Sequence, residues 1–257
     1  MVKNNHIERW YILSEIYIKD VVNEFIEKRK LETRFETLVK VLKSYNIPFR
    51  VESNEEVKNV IINLTKDGNK KTVIGAHYDV FGSSLGINDN TCAIAMLIKY
   101  ANDCLHGVKE NNIEIVFFDK EESGGRGSAD YVRRHKLDIK EALLFDIIGY
   151  GEELVASGGM SKITQMFLKH DVKILRYALP SDNIAFIREN IPVTLITAAP
   201  ITDLIDNGDY THQVKPQADF YKTFHNQSLD NNIDIINFET IDRAYKMLKE
   251  VYVPISV

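Results

Sequence analysis

The chain has 257 residues, 44% of them hydrophobic, and a formal net charge of −5. That length suits one sizeable domain, that apolar content excludes a disordered chain, and scattered lysines and arginines without a basic block leave no footprint for nucleic acid. Two cysteines, Cys92 and Cys104, are too few for a disulfide scaffold and read as reduced thiols. The N-terminus, MVKNNHIERWYILSEIYIKD, has no apolar run followed by a small-residue cleavage site. No segment reaches the roughly 20 apolar residues that span a bilayer. No membrane partner is therefore expected. A cytoplasmic location is the expectation, or a secreted one if a leader precedes this sequence.

In chain order, Trp10, Leu13, Tyr17, Val21 and Phe25 recur at helical spacing, and so do Leu31, Phe35, Leu38 and Leu42. Two amphipathic helices are predicted before residue 46, with Pro48 closing the region. Short runs rich in Val and Ile follow at 60–64, 72–76, 113–118, 142–148 and 193–197. Several do not alternate with polar residues, which suits strands buried on both faces of a sheet. Helical patterns separate them at 91–104, 127–137, 161–170 and 182–189, and a last helix carries Phe238, Ile241, Tyr245, Leu248 and Val251. A longer irregular stretch covers about 199–232. The alternation predicts an α/β fold: one domain over 1–257, a three-layer sandwich whose mixed, mostly parallel sheet has helices on both faces, with the helical segment 1–46 packed on it.

The polar residues fall at particular places in this pattern. His77 follows the run TVIGA, Glu121 and Glu122 come three residues after IEIVFF, and Asp146 sits near the end of ALLFD. Ligands of open α/β sheets bind outside the carboxyl ends of the strands, so three strands deliver carboxylates or imidazole to one edge. Asp146, in an apolar run, would cost several kcal/mol as an unpaired buried charge, and so calls for a cation. Carboxylate and imidazole suit zinc, manganese or cobalt, and no cysteine stands where a thiolate ligand would. Several carboxylates with two histidines suit a pair of metals sharing one carboxylate. Asp79, two residues from His77, is better placed to hold that imidazole than to bind metal itself.

Six blocks in order, GAHYDV, GINDNTCAIAML, FFDKEESGGRGSADYV, LLFDIIGYG, SDNIAF with NIPV, and FHNQSLDNNID, resemble the M28 zinc exopeptidases, the co-catalytic aminopeptidases of bacteria. The resemblance implies a metallo-exopeptidase that removes N-terminal residues from peptides with a free N-terminus, using two Zn2+ per chain, with Co2+ or Mn2+ as substitutes. It implies that His77 and Asp146 bind one ion, that Glu122 and His225 bind the other, and that Asp89 bridges them. It makes Glu121 the general base and Asp79 the residue that orients His77. Ser181, Asp182, Phe186 and the Asn190-Ile191-Pro192 segment would shape the substrate pocket together with Phe224. An apolar lining from Phe186, Ile191 and Phe224 would favour a hydrophobic N-terminal residue.

The chain departs from this pattern in two places. Family members often carry a tyrosine just before the last histidine, where this chain has Phe224, so Tyr210 or Tyr221 would have to supply that hydroxyl. Residues 198–222 match no motif, and His212 within them reads as a loop histidine. His6, His106, His135 and His170 read as surface residues. Two rival readings share the scaffold: a single-zinc glutaminyl-peptide cyclotransferase, and a catalytically inactive binding protein.

Overall fold

The computed structural model describes residues 16–64, 70–106, 112–158, 170–225 and 228–252. Among these, ten strands form one sheet: β1 (Arg50–Ser53), β2 (Lys58–Asn63), β3 (Lys71–His77), β4 (Ile113–Phe118), β5 (Ile139–Phe145), β6 (Glu153–Gly158), β7 (Lys173–Leu175), β8 (Val193–Ala199), β9 (Leu204–Asp206) and β10 (Thr211–Val214). Their spatial order is β1-β2-β4-β3-β5-β8-β6-β7-β10-β9. The central strands β4, β3, β5 and β8 run parallel to one another, and antiparallel pairings lie toward both flanks and between β8 and β6. The chain is thus α/β, with a mixed, mostly parallel sheet.

Helices cover both faces of the sheet. Alternate residues of one strand serve different layers because successive side chains point to opposite faces. Ile113, Ile115 and Phe117 of β4 join the core under α1 (Ile18–Lys28), α2 (Arg34–Ser44), α3 (Cys92–His106) and α6 (Phe238–Tyr252). Val116 and Phe118 join a second core with Tyr131 and Val132 of α4 (Arg126–His135) and Phe186 of α5 (Asn183–Arg188). The α2 helix starts at a capping box in which Thr33 and Glu36 satisfy each other's backbone N–H groups. Gly127 at the start of α4 allows a close approach to β4, since a Cβ there would lie 2.1 Å from the Asp119 carbonyl oxygen.

Several expectations change in detail. Leu31 does not share a helical face with Phe35 and Leu38; it stands 80% exposed in the turn before α2. Strand β5 stops at Phe145, so Asp146 begins the loop beyond the strand and not the strand interior. The stretch 199–232 is less irregular than expected, because β9 and β10 extend the sheet there and place His212 on a strand. Strand β1 was not predicted either, since it is mostly exposed and has no apolar run. Trp10, Leu13 and most of the helix expected at 161–170 lie outside the described residues.

Candidate metal centre

The cross-strand register brings the ends of the three central strands level. His77, the last residue of β3, pairs with Phe118, the last of β4, and Gly75 pairs with Leu144 of β5. The chain therefore leaves β4 toward Glu121 and Glu122, and leaves β5 into Asp146, beside the same imidazole. Asp89 reaches this edge from the turn Ile87–Thr91, which opens on Gly86 at φ +60°. A Cβ on Gly86 would meet the Asp89 carbonyl oxygen at 2.8 Å as well as Val80, so glycine suits both the backbone and the space. The Asp89–Asn90 peptide is cis.

These side chains form two groups that share one member. His77, Asp89 and Asp146 each offer a ligand atom within 4.8 Å of the others, and so do Asp89, Glu122 and His225. His77 Nε2 lies 3.0 Å from Asp89 Oδ1 and 3.3 Å from Asp146 Oδ1. On the other side, His225 Nε2 is 3.5 Å from Glu122 Oε2, and the His225 amide donates to Asp89 Oδ2 at 3.2 Å. Both oxygens of Glu122 are buried without a hydrogen-bond partner, which is costly for a carboxylate unless a cation takes up its lone pairs. Oxygen and imidazole donors in two shared triads fit a pair of divalent ions.

A set of polar residues holds this arrangement. The Asp79 carboxylate accepts the backbone N–H groups of Glu121 at 2.9 Å and Glu122 at 3.2 Å, which fixes the glutamate pair. Its backbone carbonyl, 3.2 Å from His77 Nδ1, is nearer the imidazole than its carboxylate, at 3.5 Å. Asp79 thus touches the imidazole mainly through its backbone, while its carboxylate holds the glutamate pair. Asn88 accepts the Gly149 amide at 2.7 Å, and Asn90 donates to the Phe145 carbonyl at 2.9 Å, so the Asp89 turn is tied to the chain around Asp146. Asp230 Oδ1 accepts the amides of both Asn88 and Asp89 at 3.0 Å, while its other oxygen takes the Ser84 hydroxyl. The buried Arg34 of α2 donates to the Tyr78 carbonyl and to the Thr91 hydroxyl, both at 2.9 Å, with its guanidinium 4.7 Å from the Phe25 ring centroid. Lys120, Ile147 and His225, all beside or within the site, hold left-handed backbone at φ +58°, +56° and +52°. For a β-branched residue such as Ile147 this costs free energy that the surrounding hydrogen bonds must offset. Its carbonyl accepts from the Ala198 amide and the Thr197 hydroxyl.

Burial dominates the electrostatics. It pushes Glu121 up to about 8 and Glu122 up to about 9, and neighbouring carboxylates add to the shift. Asp182 and Asp230 rise to about 7 for the same first reason. Burial alone would lower the His77 pKa, but Asp146, Asp79 and Asp89 outweigh it and raise it. Glu121, Glu122, Asp182 and Asp230 thus have folded values above their unfolded ones. The stability tied to their protonation is full below about pH 4 and is lost as pH rises through 7 to 9. Chelator-treated protein is therefore expected to melt at a lower temperature at pH 9 than at pH 6. Added zinc should raise the melting temperature more at pH 9, where fewer protons compete for the carboxylates. Equal zinc-induced shifts at both pH values in thermal unfolding scans would contradict this.

The expected pocket residues divide. Ser181 donates to Asp146 Oδ2 at 2.7 Å, so it braces a site carboxylate. Asp182 is buried, with one carboxylate oxygen unpartnered. Phe186 does not line a pocket: it is fully buried, with its ring 6.2 Å from that of Phe118, because α5 packs this face onto the sheet. Ile191 is in the same core. Phe224 is half-buried, edge-on to His225 at 4.8 Å and to Tyr221 at 6.0 Å. Tyr210 stands 93% exposed between β9 and β10. Sequence reasoning missed Asn88, Asn90, Arg34 and Ser84 as supports, and gave Asp230 no task beyond its place in the block FHNQSLDNNID. The signal for the asparagines was present in the sequence, because amides flanking a buried aspartate are suited to satisfying bent backbone.

A mixed sheet carrying imidazole and carboxylates at its C-terminal edge, in two triads with a common aspartate, defines an α/β protein with a candidate two-cation centre. The comparisons narrow this class. The model of "Peptidase family M28" matches residues 59–252, and the chain belongs to that family. It is 33% identical over 105 residues to an aminopeptidase from each of two Pseudomonas aeruginosa strains, covering 38% of this chain and 19% of the relative. The match thus spans about a fifth of the length of the curated relatives. A zinc aminopeptidase from Bacillus subtilis superposes with a TM-score of 0.60 at 19% identity, over 76% of this chain and 50% of that one. A glutaminyl cyclase from Bacteroides thetaiotaomicron superposes at 0.70 with 15% identity, over 95% of this chain and all of that one. Among the described residues no helix is long and apolar enough to cross a membrane.

Proposed function

We propose that this chain is a metallo-aminopeptidase that hydrolyses N-terminal residues from peptides at a two-zinc centre. The observation that carries the reading is the pair of ligand triads sharing Asp89. His77 and Asp146 would hold one ion and Glu122 and His225 the other, with Asp89 between them. The bound ions would acidify a water and polarise the scissile carbonyl.

The protein's own residues supply the rest of the chemistry. Glu121, fixed through its backbone N–H to Asp79, takes a proton from the attacking water and returns it to the leaving amine. The acidic surroundings formed by Glu121, Asp146 and Asp182 attract the substrate's α-ammonium. Phe224 has no hydroxyl to offer the carbonyl oxygen, and Tyr221, in edge contact with Phe224, is the better placed of the two candidate donors. The packing of α1 and α2 into the core beneath the sheet supports the expectation of a single zinc-exopeptidase domain over 1–257.

The test is hydrolysis of aminoacyl p-nitroanilides. Chelator should abolish it and zinc, cobalt or manganese restore it, with elemental analysis giving about two zinc ions per chain. The fold similarity to a glutaminyl cyclase gives the rival reaction some support. One zinc per chain, pyroglutamate formation and no peptide hydrolysis would establish that rival and remove the aminopeptidase reading.

A further inference from the structure

Beside Glu121 the surface opens into a cleft of about 210 Å3, lined among others by Gly125, Ser128, Ser181, Ile184 and Arg188. This is not the apolar pocket that the sequence suggests, because the aromatic ring of Phe186 and the side chain of Ile191 are consumed by the core. The lining is made of small or aliphatic side chains, with two that carry charge. Glu121 stands on the metal side, and Arg188 stands on the last turn of α5. The Arg188 side chain is exposed, and its guanidinium makes no hydrogen bond or ion pair with another described residue. The neighbouring carboxylate that could have neutralised it, Glu189, is already paired with Lys136 at 2.8 Å. The cleft therefore runs from an acidic end, suited to an ammonium, to a guanidinium whose donors are open. A guanidinium fork matches a carboxylate with two parallel N–H···O bonds.

Resting on the aminopeptidase reading, we propose that Arg188 selects substrates that carry a carboxylate close to the scissile bond. Two sources share this chemistry: the side chain of an acidic N-terminal residue, and the α-carboxylate of a dipeptide. Glutamyl against glutaminyl p-nitroanilide tests the first, and Ala-Ala against Ala-Ala-amide tests the second. In one of these pairs the acid should exceed its neutral partner in kcat/KM by about tenfold or more, the size expected for a charge-assisted hydrogen bond. The ratio should fall toward one in Arg188→Gln, and be only partly kept in Arg188→Lys, which retains the charge without the fork. Raising ionic strength from about 0.01 to 1 M should shrink the preference, because an exposed guanidinium is screened. Calorimetric binding of the same dipeptide acid and amide to the Glu121→Gln protein reads the preference without turnover. No turnover of any peptide, with the acid still bound more tightly than the amide, would sink the peptidase reading and leave the role of Arg188 standing. Turnover of all four substrates with acid-to-neutral ratios near one, unchanged in Arg188→Gln, would overturn the role of Arg188 alone.

Discussion

If Glu121 is the proposed general base, Glu121→Gln should lower kcat by about 10²- to 10⁴-fold, the range for loss of such a group, while the metal content stays at the wild-type value. Two observations separate Glu121 from the adjacent Glu122. Glu122 falls within the second ligand triad and Glu121 in neither, although their backbone amides bond the same Asp79 carboxylate. Glutamine keeps the size and the backbone hydrogen bond of the residue, so the fold and the ion sites should persist. It cannot accept a proton near neutral pH. The raised value of about 8 for Glu121 describes the carboxyl before cations enter. Two divalent charges alongside favour the carboxylate and bring its pKa down into the working range of a base. The pH profile of kcat/KM should accordingly show an acidic limb that disappears in the glutamine variant's residual activity. Glu122→Gln is the contrasting change, because it should lower metal content together with rate. If Glu121→Gln retained wild-type turnover at full metal occupancy, another group would have to be the base.

Asp230→Ala produces the largest loss of stability we expect from any single change near the site, about 3 kcal/mol. Alanine leaves the buried amides of Asn88 and Asp89 without their acceptor and releases the Ser84 hydroxyl. An unsatisfied buried donor costs about 1–3 kcal/mol each. One effect opposes the loss, since removing Asp230 relieves its repulsion with Asp89, which contributes to raising Asp230 to about 7. Below pH 7 Asp230 is largely protonated and that relief is small, so the lost hydrogen bonds win. For a chain of this size the midpoint of thermal unfolding should fall by roughly 6–12 °C at pH 6. Asp89 should also lose its set position, and with it both ions, by about 10- to 100-fold in affinity. Asp230→Asn keeps a carbonyl oxygen for the two amides and should lose much less. A melting temperature unchanged in Asp230→Ala would show that the turn holds itself in place.

Much of this was legible in the linear chain because it depends on local pattern. Apolar runs of five to seven residues between helical periodicities point to an α/β sheet, since strands buried on both faces use such runs. Polar residues directly after those runs must fall at one sheet edge, and so His77, Glu121, Glu122 and Asp146 were visible as a group. Short strands were not visible. β7 and β9 have three residues each, and β1 is mostly exposed, so neither length nor hydrophobicity marked them.

What only the tertiary structure decides is how distant segments meet. The contact of Asp230 with the Asp89 turn, 141 residues away, and that of Arg34 with Thr91, 57 residues away, have no signature in any local window. The same holds for the use of Phe186. Its helix could have turned an aromatic ring to a cleft or to the sheet, and packing against Phe118 and Tyr131 settles it. By itself, the sequence determines which residue types arrive at the edge of the sheet, because strand period and strand end are local properties. The depth of each side chain, the hydrogen bonds that hold it and the residue left facing the cleft depend on long-range packing, which sets Arg188 in the wall of the cleft that Glu121 also lines.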